Sequence, residues 1–505
     1  MRTFWETFPI EFKGGLMTDG SPLRQGINFP GSASQLINFE PSIEGGYKKI
    51  LGYNKWTNNV VPGSTNVQGV IIASADDVIA VRGGKYYVSL AKANWVQKLD
   101  LASTSGQKIR HTLFNFNGTP KVCMVDSLHR PVFYESLTDT IVQDVAAPSD
   151  VLGASRVVEH KNRLFFAKGS TLVYTAPFAE TDYTPGNGAG IINVGDTISG
   201  LIVFRDELIV FCNDKIKRLI GSSPSDFVLR TITLKTGCVD GDTIQEVGGD
   251  ILYLGPDGIR YLSATERNED FGLARASESI QKDITTTFVG GSSYSSFTVR
   301  KKAQYRIFRY DLATTRENSV GYLGTRFEDQ QPSGIAWGLV KGIKIFSADS
   351  KQFGSTEIIL FLNEDGYVYE AEKGFSFDGT PISCLFTTPF IPITDPQVRK
   401  TYYKHTLYLK SQGEVDISLR VILDFDAPDS IQPQTIPIQN NTSGLAIWGA
   451  ITWGSFIWGG AIRSAYENQI VGSSFGVALS YSESSTLPSF SLDTAILEYK
   501  QNDRK

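Results

Sequence analysis

The groups in this chain that could do chemistry are few and scattered. The four histidines, His111, His129, His160 and His405, stand far apart. General acid–base catalysis or metal ligation needs such groups held together, and sequence usually shows this as a short motif. No HExxH, GxSxG, Walker A or EF-hand pattern is present. "GNGAG" (186–190) has the glycines of a phosphate loop, but "IINVGDTI" after it reads as strand, not as a phosphate-holding helix. Asp424 and Asp426 flank Phe425. Glycoside hydrolysis needs two carboxylates facing each other across a cleft, and neighbours on one strand edge read instead as a solvated face. His129 and His160 sit beside hairpins, where a hydrogen-bonded structural role is the default. The sequence points away from an enzyme and to no cofactor or metal.

The remaining reactive and charged groups fit that reading. Cys123, Cys212, Cys238 and Cys384 form no CxxC pair or Cys/His cluster. Reduced thiols in a cytoplasmically made protein are therefore expected, not zinc or disulfides. The formal charge of −5 gives no general pull toward nucleic acid or anionic lipid. That disfavours a conventional DNA-reading protein but not one that DNA slides past without sticking. The basic runs Lys48-Lys49 and Arg300-Lys301-Lys302 read as solubility or, at most, a phosphate contact. "MRTFWETFPIEFKGG" lacks the continuous apolar region of a signal peptide, and no apolar run is long enough for a membrane helix.

Residues 447–459 read "IWGAITWGSFIWG", with Trp448, Trp453 and Trp458 each followed by glycine. A spacing of five would put the middle ring of an unbroken strand on the opposite face from the other two. The glycines suggest strands interrupted by bends. The rings are expected to pack inside a domain or against another subunit, sugar stacking or membrane contact being the alternatives. Together with Lys48 and Lys49 they are the candidate partner contacts.

The elements that must position these residues recur. "NRLFFAKGSTLVYT" (162–175), "DELIVFCNDKIKRL" (206–219) and "GDILYLGPDGIRYL" (249–262) are each an apolar run, a tight turn and a second β-rich run. Leu164, Leu208 and Leu252 fall 44 residues apart, as do Ile79 and Cys123 in matching segments. "EIILFLNEDGYVYE" (357–370) repeats the pattern, and "AQYRIFRYD" near Tyr305 is a weaker copy. One such unit cannot bury both faces alone, and stacking copies around an axis does so. The expectation is an all-β fold: a β-propeller of six to eight blades of about 44 residues, the repeat size typical of propeller blades. A series of immunoglobulin-like sandwiches is the alternative.

Beyond about residue 386 the pattern changes. In "VDISLRVILDFD" Val415, Ile417, Leu419, Val421, Leu423 and Phe425 alternate onto one face, which is expected to pack. The chain then divides into an N-terminal arm (1–55), a propeller (56–385) and a C-terminal antiparallel sandwich-like domain (386–505) that carries the Trp-Gly cluster.

Three stretches in order resemble the tail nozzle proteins of short-tailed bacteriophages, the group of tail tubular protein B and the DNA-stabilising tail accessory factors. They are "SASQLINFEPSIEGGYKKILGY" (32–53), 162–185 running into 196–221, and "GCVDGDTIQEVGGDILYLGPDGIRYLS" (237–263). The resemblance covers roughly 28–285. It implies a structural virion protein with no catalytic residues, assembled about six-fold into a ring that continues the DNA channel. The implied partners are its own copies, a tail adaptor ring, tail fibre or needle proteins, double-stranded DNA bound without sequence preference, and the host surface. An acidic lumen would keep phosphates from adhering. The rival expectation is a carbohydrate-binding or carbohydrate-active propeller with aromatics open to solvent.

Overall fold

The computed structural model describes residues 5–502 except 65–66, 102–106, 264, 266–274, 328–333, 428–430 and 441–461. Trp448, Trp453 and Trp458 lie outside the described residues.

Seven antiparallel units follow one another along the chain. Blade 1 consists of Val67–Ile72, Asp77–Arg82, Lys85–Leu90 and Val96–Asp100. Blades 2 (110–143), 3 (156–193) and 4 (198–233) are four-stranded meanders, and blade 5 (245–261) has three strands. Blade 6 takes residues 293–340 and blade 7 residues 347–371. Local chemistry fixes the turns. In blades 2 to 5 the first two strands are joined by two-residue links, Asn117-Gly118, Lys161-Asn162, Arg205-Asp206 and Gly248-Gly249. All eight residues have φ between 50° and 83°, the paired positive φ of the type I′ hairpin that matches strand twist.

A single small sheet is not stable alone, and here each buries its faces against its neighbours. Leu208 and Val210 of blade 4 pack on Phe165 and Ala167 of blade 3. Val122 and Met124 of blade 2 pack on Ile71 and Ile79 of blade 1. Leu360 and Leu362 of blade 7 pack on Val70 and Ile72 of blade 1, so the units close into a ring. Each fully buried side chain of this size contributes roughly 1.5–3 kcal/mol, so the seams between blades hold the ring together. The protein is a β-propeller of seven blades among the described residues. The recurring segments are its second strands. The weak copy near Tyr305 is Gln304–Tyr310, the second strand of blade 6.

Beside the ring lies an antiparallel sandwich. One sheet runs Phe39–Pro41, Tyr47–Lys49, Phe490–Gln501, Lys400–Ser411, Ile462–Ser474, with Glu6–Glu11 also paired to Phe490–Gln501. Facing it are Thr380–Thr387, Val477–Ser485, Val415–Leu423 and Ile436–Asn440. Phe12, Tyr47, Phe386 and Tyr481 interlock between the sheets. Val415–Leu423 alternates buried and more exposed residues, as its pattern predicts. Phe425 does not join the packed face. The strand stops at Leu423, and Asp424, Phe425 and Asp426 turn the chain away with φ of 48°, 60° and 59°.

The three spans expected from sequence share sheets. Gln35–Ile37 pairs with Thr380–Thr387 and touches Leu339 of blade 6. Tyr53–Lys55 pairs with Val368–Ala371 and supplies the fourth strand of blade 7. Residues 5–55 are therefore a seam sewn into both bodies, and the expected boundary at 385 falls inside a paired strand. Gly52 sits at a tight point of this seam. A Cβ there would lie 1.8 Å from the Ser376 carbonyl oxygen. Gly52→Ala is expected to cost about 1–3 kcal/mol by overpacking, read as a lower denaturation midpoint. Gly186→Ala, at a position where a Cβ meets nothing, serves as the control.

Candidate functional site

The first strands of the blades face the ring axis, where a cavity of about 350 Å³ takes lining from every blade, from Val70 in blade 1 to Asp349 in blade 7. Its chemistry is ionic. Asp242 sits in the turn Gly241–Thr243, whose preceding Asp240 side chain accepts the Asp242 backbone N–H at 2.9 Å. Arg110 of blade 2 donates to both Asp242 oxygens, Nε at 3.2 Å and Nη2 at 3.0 Å. Arg156 of blade 3 donates to Asp242 and, at 3.1 Å, to Asp240. The Lys108 ammonium lies 3.3 Å from Asp242 and donates to Ser295 of blade 6 at 3.1 Å. Blade 2 is not adjacent to blades 5 or 6, so these bonds cross the axis.

A second knot ties the ring's closure. His111 Nε2 of blade 2 lies 3.2 Å from Asp349 Oδ2 of blade 7, and the same oxygen accepts the Ile72 N–H of blade 1 at 2.9 Å. Lys351 stands 3.7 Å from the other Asp349 oxygen. Burial alone would raise both carboxyls, but Arg110, Arg156 and Lys108 hold Asp242 well below the usual carboxylate range. Lys351 and His111 do the same for Asp349. Burial pushes the Lys108 ammonium down, with Asp242 opposing. Both channel carboxylates are thus held ionised, which suits a cross-link and denies either the proton a general acid must carry. The axis is plugged.

The residues singled out by sequence go elsewhere. Lys49, a candidate partner contact, is fully buried: its ammonium lies 2.8 Å from Glu483, and the two side chains are 0% and 1% exposed. It is drawn inside because Tyr47–Lys49 carries alternate side chains into the sandwich core. Lys48, the residue between, is half-buried. Two of the three residues in Arg300-Lys301-Lys302 are used within the fold, Arg300 on Glu357 and Lys302 on Glu40 and Glu372. "GNGAG" is a short turn, Pro185–Asn187, leading into the strand Gly190–Asn193. Asp424 pairs with Arg399 and Asp426 with Arg420. His129 Nδ1 contacts Asp126 at 2.6 Å. The four cysteines are buried and free.

His405 is buried in the sandwich with Nε2 2.8 Å from the Tyr481 hydroxyl, and burial lowers its pKa to about 3. The unfolded chain then binds this proton near pH 6.5 and the folded one does not. Stability from this group is full above the unfolded pKa and is lost as pH falls below it. The expected loss is about 2 kcal/mol at pH 5, checked by urea midpoints of wild type and His405→Gln across pH 4.5–7.5.

The charged plug was not legible in sequence. Its members come from blades 2, 3, 5 and 7, each as a charge in or beside an axis-lining first strand. Lone charges in the first strands of the repeat were the available signal.

The fold and its axial cavity define a β-propeller whose axis is crossed by ion pairs, with an attached sandwich. No protein-family model matches the chain, and no curated protein does. Among solved structures it is similar to an extracellular domain from B. thetaiotaomicron, at 11% identity and TM-score 0.34, covering 78% of this chain but only 43% of that one. It is similar to the WD40 repeats of RRP9 at 8% identity and TM-score 0.39, over 63% of this chain and 99% of that one. An ancestral GH74 enzyme matches at 10% identity and TM-score 0.39, over 67% and 50%. None of these is a bacteriophage tail protein, and none bears on what this chain binds.

Proposed function

We propose that this chain is a structural subunit of a short-tailed bacteriophage tail, one of several copies that together form a nozzle around the genome's exit path. The observation that carries it is the plugged axis. Ion pairs among blades 2, 3 and 5 and a hydrogen bond to blade 6 cross a cavity of about 350 Å³, whereas the major groove of duplex DNA alone is about 12 Å wide. DNA has no path through one propeller, so in this reading the conduit lies between copies, as the resemblance implies. The stretch 32–53, which carries much of that resemblance, is the seam that joins ring to sandwich. Such a subunit would bind its own copies and an adaptor ring, and DNA without sequence preference.

A second reading, a carbohydrate-binding propeller at the host surface, is favoured by one feature. Trp5 and Tyr403 stack at 4.7 Å on the outer face of the sandwich, 39% and 43% exposed. Electron microscopy and mass measurement of the purified full chain, alone and with phage tails, separate the two. Rings or adaptor-dependent assembly support the nozzle. A persistent monomer that is retained by host polysaccharide supports the sugar binder.

A further inference from the structure

The sandwich ends in an apolar patch built at a conformational cost. Phe425 is 53% exposed, Ile431 93%, Val471 83% and Phe475 44%. They gather where Val415–Leu423 ends. Gln432, next to Ile431, bonds the Leu423 backbone at both N–H and C=O, and Asp424 accepts the Phe475 N–H at 2.8 Å. Gly472, next to Val471, abuts Leu423. Phe425 rests on Phe390 with ring centroids 4.2 Å apart, and Arg399 lies over Phe475.

Three successive non-glycine residues at positive φ are disfavoured, most of all for a bulky ring. Arg399 on Asp424 and Arg420 on Asp426 pin the turn in place. A strained turn, held by two ion pairs, that turns an aromatic ring outward suggests a ring that meets something.

We infer that this patch is a contact between copies of the chain, joining the Phe425 end of one sandwich to another copy. This rests on the multi-copy assembly proposed above. The two carboxylates beside Phe425 are matched by two arginines, so the patch suits an uncharged partner surface. The chain supplies one: residues 441–461 contain no charged residue. The described strands on either side of them end at Asn440 and begin at Ile462, which pair with Val415 and Ser411. That is the end of the sandwich opposite Phe425, across the nine-residue strand Val415–Leu423. Different surfaces at opposite ends make a head-to-tail contact, the kind that closes into rings.

The test is Phe425→Asn in the full chain. Asparagine tolerates positive φ and removes the apolar ring. The expected result is an unchanged or raised melting temperature with assembly weakened at least tenfold by mass photometry, and Phe425→Trp assembling as wild type. Phe425→Asn assembling normally would overturn the inference while leaving the multi-copy proposal standing. Wild type that never assembles, with or without tails, overturns both. Loss of retention on host polysaccharide with assembly intact would assign the patch to a sugar and also overturn the inference.

Discussion

Asp242→Asn is expected to destabilise the protein by about 3–5 kcal/mol, the range for removing one partner from a buried ionic cluster. The substitution keeps the shape of the side chain and removes its charge. Arg110, Arg156 and Lys108 would then face one another across the axis with Asp240 as their nearest remaining counter-charge. Lys108 and Arg156 are mostly buried, their side chains 7% and 13% exposed. Water cannot easily replace the lost carboxylate for them. Added salt should recover little, because buried pairs are weakly screened. Arg110→Met, at 22% exposure, should cost less, since Asp242 keeps two cations. Guanidinium midpoints at low and high salt measure both.

The same residue gives a pH signature. Its folded pKa is depressed below the unfolded value near 3.9. The stabilisation is fully present above about pH 4 and is lost as pH falls through the folded pKa. The gap between wild type and Asp242→Asn should therefore be flat from pH 7 to about 5 and narrow below 4. A gap that widens on acidification would mean that Asp242 is not the ionised hub of the plug.

What sequence could reveal followed from distance along the chain. Each blade is a local meander, so its hairpins are legible as a repeat, and even the faint sixth copy, set at a wider spacing, is the second strand of a blade. It is faint because Gln304, Arg306 and Arg309 interrupt its apolar pattern, Arg306 and Gln304 serving to hold Glu40 of the N-terminal seam. Contacts of long range left no such trace. Asn38 donates to the Ser383 carbonyl, and Tyr53–Lys55 completes a blade more than 300 residues away. Residues 1–55 therefore look irregular in sequence although 5–55 are ordered by partners elsewhere. Phe425 was misplaced for a different reason: alternation continues through it, and the left-handed turn that ends the strand has no glycine to announce it.

Glu483→Gln should be as damaging as the loss of Asp242, by about 3–5 kcal/mol, although it touches only one ion pair. Lys49 and Glu483 come from opposite sheets of the sandwich and meet at 2.8 Å. The ammonium also donates to the Ser485 and Leu487 carbonyls at 3.1 and 3.3 Å. Neutralising Glu483 leaves a fully buried ammonium with only those carbonyl dipoles, whereas Lys49→Met leaves a carboxylate with the Ser485 hydroxyl. Either single change strands a charge. The double variant Lys49→Met/Glu483→Leu strands none, and buried pairs replaced by apolar residues of similar volume are often neutral or stabilising. It should recover most of the loss, short of the two carbonyls left without a donor, each about 1–3 kcal/mol if water does not reach it. A double-mutant cycle in urea measures the coupling. Strong coupling would mark Lys49 as a pin between sheets, and single variants that unfold like wild type would return it to the surface as a partner contact.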